Sequence, residues 1–285
     1  MMLRSLLYVP ANIARFIDKA ASYGADAIIL DLEDSVPTNE KLLARNQLEN
    51  SIKQVGQSGA TVFVRINADI ENARKDAIAA LQGGAFGLMV AKANEQKIVH
   101  LNQCISSSFA DKKLNDIKFI ALIEDAAAVV NANAIGRQNN MFGMLVGGED
   151  LATSLNAFPS PDMLRFPKQA VHYAAKANGL MSFGLCRTIT DYTDLQQIAA
   201  SAFEAKNLGF DGATCIHPSS INILNENFAP SEQEINWANE VLKKAAEQDG
   251  GVTIFENKMV DLPILKRAKQ ILAQKGHTAP PAHKK

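Results

Sequence analysis

The chain has 285 residues, of which 47% are hydrophobic and 21% charged, and its formal net charge is −1. This composition is typical of a globular protein with a sizeable core, and the charge gives no reason to expect nucleic acid or an anionic membrane as a partner. Three widely spaced cysteines indicate neither a disulfide framework nor a zinc site. No apolar stretch is long enough to span a membrane, and the start does not resemble a signal peptide. We therefore expect a cytoplasmic protein.

Short apolar runs rich in Val, Ile and Leu recur along the chain, with longer amphipathic segments between them. Runs without alternating polar residues are typical of parallel strands, which are buried on both faces. Eight such runs alternating with helices predict an α/β fold, a closed (β/α)8 TIM barrel, since five or six would indicate an open sheet. The predicted strands are Ser5–Val9, Ala27–Leu32, Val62–Ile66, Gly87–Ala91, Phe119–Ile123, Met144–Gly147, Met181–Leu185 and Ala213–Ile216.

The chain continues beyond the eighth run. Pro230 and Ser231 begin a predicted helix, a hairpin is predicted around Asn257, and a final helix is expected from about Pro263 to Gln274. We therefore predict a catalytic barrel over residues 1–225 and a helix-hairpin-helix extension over residues 226–276, which is expected to pack on a neighbouring subunit. The Pro- and Lys-rich tail over residues 277–285 is expected to be disordered.

Polar side chains follow nearly every predicted strand. In a (β/α)8 barrel the active site lies at the carboxyl ends of the strands, and the opposite strand ends are not comparably charged. The set is rich in carboxylates and poor in Cys and His, which favours Mg²⁺, Mn²⁺ or Ca²⁺ over zinc. The residues are Asp31, Glu33, Asp34, Arg65, Asn67, Lys92, Glu124, Asp125, Glu149, Asp150, Arg187 and His217.

The same strand ends resemble the citrate lyase β-subunit family, part of the wider HpcH/HpaI aldolase group that includes citryl-, malyl- and citramalyl-CoA lyase-like enzymes. The resemblance runs from about Leu3 to Ala273 and rests on eight segments in matching order and spacing. They are LRSLLYVPAN (3–12), GADAIILDLEDSVP (24–37), VRIN (64–67), ALIED (121–125), GGEDLA (147–152), LGFDGATCIHPSSI (208–221), APSEQEINWA (229–238) and NKMVDLPILKRA (257–268).

The resemblance implies a carbon–carbon lyase that depends on Mg²⁺, with Mn²⁺ as an alternative. It implies that Glu124 and Asp150 hold the metal and that Arg65 grips a substrate carboxylate. Glu33 and Asp34 are implied to lie near the metal and its waters, and we count them, with Arg65, among the catalytic residues. The physical chemistry agrees, because two protein carboxylates leave coordination sites for a chelating keto acid.

The resemblance also implies a role for the extension. Asp261 of the Met-Val-Asp-x-Pro segment resembles the acid/base group of acyl-CoA lyases, and in related enzymes this segment reaches into a neighbouring subunit's site. We therefore expect a homo-oligomer, specifically a trimer. The alternative is that Asp261 caps the last helix of its own chain, before Pro263.

Several segments depart from the family pattern. P-G-N-R becomes Pro10-Ala11-Asn12-Ile13, which loses an Arg, and D-G-K becomes Asp211-Gly212-Ala213, which loses a Lys. P-K-V-E-S becomes Ala91-Lys92-Ala93-Asn94-Glu95, and an Arg common before the seventh strand falls near Pro167. We expect the substrates to be a 2-keto acid and a CoA thioester, with Lys92 as a compensating substrate-binding residue. Two alternatives stay open: a class II aldolase that acts on a free hydroxy-keto acid without CoA, and a carrier-dependent or non-catalytic subunit of a lyase complex.

Overall fold

Eight parallel strands form the centre of the molecule. The structure, a computed structural model, describes residues 2–109, 117–190, 192–247, 253–255 and 258–275. The strands are β1 (Ser5–Pro10), β2 (Ala27–Asp31), β3 (Thr61–Ile66), β4 (Gly87–Val90), β5 (Lys118–Ile123), β6 (Met141–Val146), β7 (Met181–Phe183) and β8 (Ala213–Cys215). They pair in the order β7-β6-β5-β4-β3-β2-β1-β8, and a bridge from Phe183 to Gly212 joins the two edges. The predicted (β/α)8 TIM barrel is therefore confirmed.

Helices connect the strands and form an outer layer. They are α1 (Ala14–Ala20), α2 (Lys41–Val55), α3 (Ile70–Gln82), α4 (Glu95–Ser108), α5 (Ala126–Val130), α6 (Ala132–Gly136), α7 (Gly148–Ser154), α8 (Pro161–Ala177), α9 (Leu195–Asn207) and α10 (Ile221–Phe228). Asp and Asn side chains cap several of them, as Asp69 does for α3 and Asp194 for α9. One apolar cluster fills the space between the strands and helices, and a second fills the inside of the barrel.

The inner cluster gives the cavity above it an apolar floor. Phe63, Phe86 and Phe142 pack together with ring centroids 5.4–5.9 Å apart. Phe86 precedes β4 and Phe142 lies near the start of β6, so these rings close the amino end of the barrel. The amino end of the barrel is thereby packed with aromatic rings, and the carboxyl ends of the strands are the open face.

The C-terminal extension has a small core of its own. It consists of α11 (Glu232–Glu247), the antiparallel strands β9 (Thr253–Phe255) and β10 (Lys258–Val260), and α12 (Leu262–Lys275). Ala238, Val241, Val260 and Ala268 are buried together there, and a Lys206–Glu234 ion pair of 2.6 Å links α11 to α9. The predicted turn at Asn257 and the predicted tail at residues 277–285 lie outside the described residues.

Six strands differ from their predicted bounds by one residue and two, β6 and β7, by more, and α10 crosses a predicted domain boundary. β6 begins at Met141 instead of Met144, and β7 ends at Phe183 instead of Leu185. The next residue, Gly184, has a φ of 152°, a conformation that residues with a side chain rarely adopt. α10 spans residue 225 and packs against α9 and β1, so it completes the outer layer of the barrel. Within the described residues, no helix is long and apolar enough to cross a membrane.

Candidate metal and substrate site

A cavity of about 410 Å³ opens at the carboxyl ends of the strands. Polar and charged side chains line one part of it, and Leu122, Leu145, Ile189 and Ile216 line another. The polar and charged lining residues are Tyr8, Asp31, Asp34, Ser35, Arg65, Glu124, Glu149, Asp150, Lys168, Arg187, Thr188, Thr190 and Thr214. They come from β1, β2, β3 and β8, from the segments that follow β2, β5, β6 and β7, and from α8.

A second cavity, of about 420 Å³, lies between the extension and the amino ends of the strands. Its charged residues are neutralised locally, because Lys206 pairs with Glu234 and Asp211 pairs with Lys176, each at 2.6 Å. It holds none of the predicted site residues. The cavity at the carboxyl ends is therefore the candidate site, although it is marginally the smaller.

Glu124 and Asp150 share this cavity. Glu124 directly follows β5 and is only 4% exposed, and its Oε2 accepts a hydrogen bond of 2.5 Å from the backbone N–H of Lys92. Asp150 lies in the first turn of α7, where its side chain is 44% exposed, and its Oδ1 lies 3.8 Å from the Lys92 Nζ. The fifth and sixth strand ends thus bring one buried and one accessible carboxylate to the same space.

The electrostatics of this pair favour a cation. Burial raises the pKa of Glu124 to about 7; the Lys92 N–H lowers it, and the negative charge of Asp150 raises it. Within the described ranges, no group of three or more His, Cys, Asp or Glu side chains is arranged to hold a metal. Two carboxylate ligands suit Mg²⁺, which keeps several waters and takes substrate oxygens. The donor set therefore fits Mg²⁺, as the sequence predicted.

Arg65 lies at the end of β3 among three carboxylates. Its Nε and Nη2 donate to Asp31 Oδ1 and Oδ2 at 2.6 and 2.7 Å, a bidentate pair that the β2–β3 register sets by placing the two residues side by side. Its Nη1 donates to Asp34 at 3.0 Å, and its guanidinium lies 5.1 Å from the centre of the Tyr8 ring. Asp34 is 66% exposed, so a ligand can replace this last contact without displacing Asp31.

Glu33 is buried beneath this cluster. Its Oε2 lies 3.0 Å from Arg65 Nη1, yet the angle is too poor for a hydrogen bond and this oxygen has no hydrogen-bond partner. Burial raises the pKa of Glu33 to about 7, against the opposing effect of Arg65. A buried carboxylate oxygen without a donor supports water or a cation in its neighbourhood.

The other predicted site residues take different positions. Lys92 is not among the residues that line the cavity, but its backbone N–H binds Glu124, its Nζ lies 3.8 Å from Asp150 Oδ1, and its φ is 46°. Asp261 does not line the cavity of its own chain. Its Oδ1 accepts a hydrogen bond of 3.3 Å from the N–H of Ile264, the arrangement of a helix cap on α12. Glu149, one of the strand-end candidates from the sequence, accepts a hydrogen bond of 3.1 Å from Thr190 and so joins the β6 and β7 loops.

Sequence reasoning missed one contributor to the site and the partner of another. Asp31 was visible as a strand-end carboxylate, but nothing in the sequence showed that it pairs with Arg65. Lys168, in the middle of α8, was not singled out from the sequence. Its buried Nζ donates hydrogen bonds of 2.6 Å to the carbonyls of Leu185 and Arg187 in the loop after β7.

Comparisons with known proteins confirm the predicted family. The sequence profile of the family described as HpcH/HpaI aldolase/citrate lyase matches residues 4–218. The chain is 32% identical over 281 residues to a (3S)-malyl-CoA thioesterase of Cereibacter sphaeroides, covering 95% of this chain and 94% of the relative. It is 30% identical to the citrate lyase subunit beta of Escherichia coli, covering 95% and 92%.

A solved structure is also similar over nearly the whole chain. It is the protein CitE of Mycobacterium tuberculosis in complex with magnesium, acetoacetate and coenzyme A. The TM-score is 0.77 at 29% identity, and the match covers 97% of this chain and 99% of that one. The similarity therefore includes the C-terminal extension as well as the barrel.

Proposed function

The chain belongs to the HpcH/HpaI aldolase/citrate lyase family, and on that premise we propose that it is a Mg²⁺-dependent carbon–carbon lyase. The proposed substrate is a 3-hydroxy acyl thioester of the citryl-, malyl- or citramalyl-CoA type, and the products are a 2-keto acid and an acyl thioester. The observation that carries the proposal is the pair formed by buried Glu124 and accessible Asp150 in one cavity.

Glu124 and Asp150 would hold Mg²⁺, which supplies Lewis-acid polarisation of the keto-acid carbonyl. Glu124 is fixed by the Lys92 N–H, so its position does not depend on the ligand. Asp150 is accessible, so it can adjust to the ligand that enters. The carboxylate pair thus combines one rigid and one adaptable donor.

Arg65 would bind the carboxylate of the keto acid. Its bidentate pair with Asp31 holds the guanidinium plane still, and Nη1 would exchange Asp34 for the substrate carboxylate. Arg65 would therefore bind the substrate carboxylate through one nitrogen and not bidentately, because Asp31 already occupies one edge of the guanidinium. Lys92 at the cavity edge would add a second positive charge.

The proton is proposed to move through Asp261 of a neighbouring subunit. Its carboxylate would accept the proton of the 3-hydroxyl group as the carbon–carbon bond breaks, and would return that proton to the carbon of the thioester enolate. Because Asp261 does not line the cavity of its own chain, this role requires an oligomer, for which we propose a homotrimer. Glu33 and Asp34 would orient water beside Arg65.

Two other reactions are distinguished by the same experiment. The 32% identity to a (3S)-malyl-CoA thioesterase favours hydrolysis of the thioester. The cations that the sequence lacks relative to the family pattern favour an aldolase that does not use CoA. Purified protein with Mg²⁺ is incubated with citryl-, malyl- and citramalyl-CoA and with free hydroxy-keto acids, and both keto acid and free thiol are measured. Keto acid without thiol supports the lyase, whereas thiol without keto acid, or turnover of the free acids alone, contradicts it. Glu124→Gln is the control.

A further inference from the structure

Lys168 places a buried positive charge on the β7 side of the cavity. The residue is only 7% exposed, and its side chain extends from the middle of α8 to the loop after β7. Its two hydrogen bonds to the carbonyls of Leu185 and Arg187 leave one of the three N–H donors of the ammonium group for another acceptor. Lys168 also lines the cavity, so a ligand can supply that acceptor.

The charge of Lys168 lacks a carboxylate partner. Among the described residues, no Asp or Glu oxygen lies within 4.0 Å of its Nζ, whereas Arg65 has three carboxylates around it. Burial lowers the pKa of Lys168 to about 8, which still leaves the amine mostly protonated at neutral pH. A buried charge without a counter-ion is unfavourable, so an anion that reaches Lys168 would be stabilised.

The strand order sets the relative positions of Lys168 and Arg65 around the cavity. β7 lies four strands from β3 in an eight-stranded barrel, so Lys168 and Arg65 stand on opposite sides of the cavity. Glu124 and Asp150 follow β5 and β6, between these two sides. The arrangement suits a ligand with one carboxylate at the Arg65 and metal end and a second negative group at the Lys168 end.

We propose that Lys168 is a second carboxylate-binding residue, which selects a 2-keto acid that carries another carboxylate on its carbon chain. This inference rests on the proposed function, because it assumes that a keto acid occupies the cavity with Mg²⁺. It narrows the proposed substrates to those whose keto-acid product is a dicarboxylate of the oxaloacetate type.

Two ligands of nearly equal shape test the proposal. Oxaloacetate and 2-oxobutyrate differ only in that a carboxylate replaces a methyl group at the far end. Binding of both is measured by titration calorimetry with Mg²⁺ present, for the wild type, Lys168→Met and Lys168→Gln. We expect the wild type to prefer oxaloacetate by about tenfold or more, the effect of one charged hydrogen bond in a buried setting. Both variants should lose that preference and retain the affinity for 2-oxobutyrate.

Lys97→Met is the matched control. Lys97 is also 7% exposed, and its Nζ donates to the carbonyls of Asn67, Ala68 and Ala91, but it does not line the cavity. This variant should lose stability and keep the ligand preference. The wild-type measurement alone is a test if the Lys168 variants do not fold.

The outcomes separate the two proposals. A wild type that binds 2-oxobutyrate with Mg²⁺ but shows no preference for oxaloacetate overturns the role of Lys168 and leaves the proposed lyase intact. A preference for oxaloacetate that persists in folded Lys168→Met also overturns the role of Lys168 and leaves the proposed lyase intact. Absence of Mg²⁺-dependent binding of either acid overturns the proposed function and this inference together.

Discussion

Gly147 lies directly against Glu124. A Cβ atom on Gly147 would be 2.7 Å from Cγ and 2.9 Å from Oε1 of Glu124, closer than real Cβ atoms approach their neighbours. The φ of Gly147 is −80°, so its backbone would accept any residue, and the close approach alone requires glycine. The end of β6 therefore fixes where the end of β5 can hold its carboxylate.

This contact predicts the effect of Gly147→Ala. The added methyl group should displace the Glu124 carboxylate and weaken Mg²⁺ binding by about tenfold or more, although no charge changes. Gly148→Ala is the control, because its Cβ would meet side-chain carbons of Leu164 at 3.2 and 3.3 Å and no carboxylate. Titration calorimetry with Mg²⁺ on both folded variants measures the difference. Equal affinities would show that Glu124 is not a ligand, or that it moves freely.

Removal of either carboxylate should abolish metal binding. Glu124→Gln and Asp150→Asn keep the shape of the side chain and remove its charge, so we expect loss of Mg²⁺ affinity and of activity with the fold retained. Circular dichroism establishes folding, and calorimetry measures the affinity. Unchanged affinity in both variants would contradict the assignment.

The raised pKa of Glu124 predicts a stability that depends on pH. The folded pKa of about 7 exceeds the ordinary value of 4.5, so between these values the folded protein holds more protons on this group. Its contribution to the free energy of unfolding therefore falls as pH rises through that window, by on the order of 3 kcal/mol. Denaturant unfolding of the metal-free wild type and Glu124→Gln at pH 5 and pH 8 isolates this effect.

The wild type should lose stability relative to Glu124→Gln at the higher pH. Excess Mg²⁺ should restore it in the wild type alone, because only there does it neutralise the carboxylate. Parallel pH profiles of the two proteins would contradict the prediction.

Arg65→Lys should reduce keto-acid affinity by on the order of 1.5–3 kcal/mol, because a single ammonium group cannot hold Asp31 bidentately and also donate to the keto acid from a fixed position. It should also destabilise the fold, since buried Asp31 loses a bidentate partner. Arg4→Lys is the control, because Arg4 donates two hydrogen bonds of 2.8 Å to Asp26 at the opposite end of the barrel. A comparable loss of affinity in both variants would assign Arg65 to structure alone.

The role of Asp261 is tested by complementation. Inactive Asp261→Ala and inactive Asp150→Asn proteins are mixed after unfolding and reassembled. If one chain supplies Asp261 to the site of another, some sites contain both native residues, and part of the activity should return. Mixed oligomers without recovery would restrict Asp261 to the capping of α12 in its own chain.

The sequence was sufficient for the barrel and for the carboxylates around its mouth. Eight apolar runs specify eight buried strands, and parallel pairing alone then collects Asp34, Arg65, Glu124 and Asp150 at one end, whatever the details of packing. The contact between Arg65 and Asp31 could not be predicted in this way, because it depends on the register of β2 and β3, which places the two residues side by side. A shift of that register would place other residues side by side.

Two other features could not be predicted from the sequence of one chain: the direction of a long side chain, and contacts with another subunit. A lysine on an amphipathic helix extends its amine either to solvent or over an apolar surface, and its position in α8 does not show which. Lys168 therefore gave no signal, although it lines the cavity. The proposed role of Asp261 in a neighbouring subunit's site depends on a contact between chains, which the sequence of one chain does not specify.

The backbone of Lys92 sets stability against the proposed function. Its φ of 46° lies in the left-handed region, which costs a residue with a side chain roughly 1–2 kcal/mol. A glycine there would relieve that strain and still carry the N–H that holds Glu124. Replacing Lys92 by glycine should therefore raise the stability of the fold, and it would remove the positive charge beside Asp150.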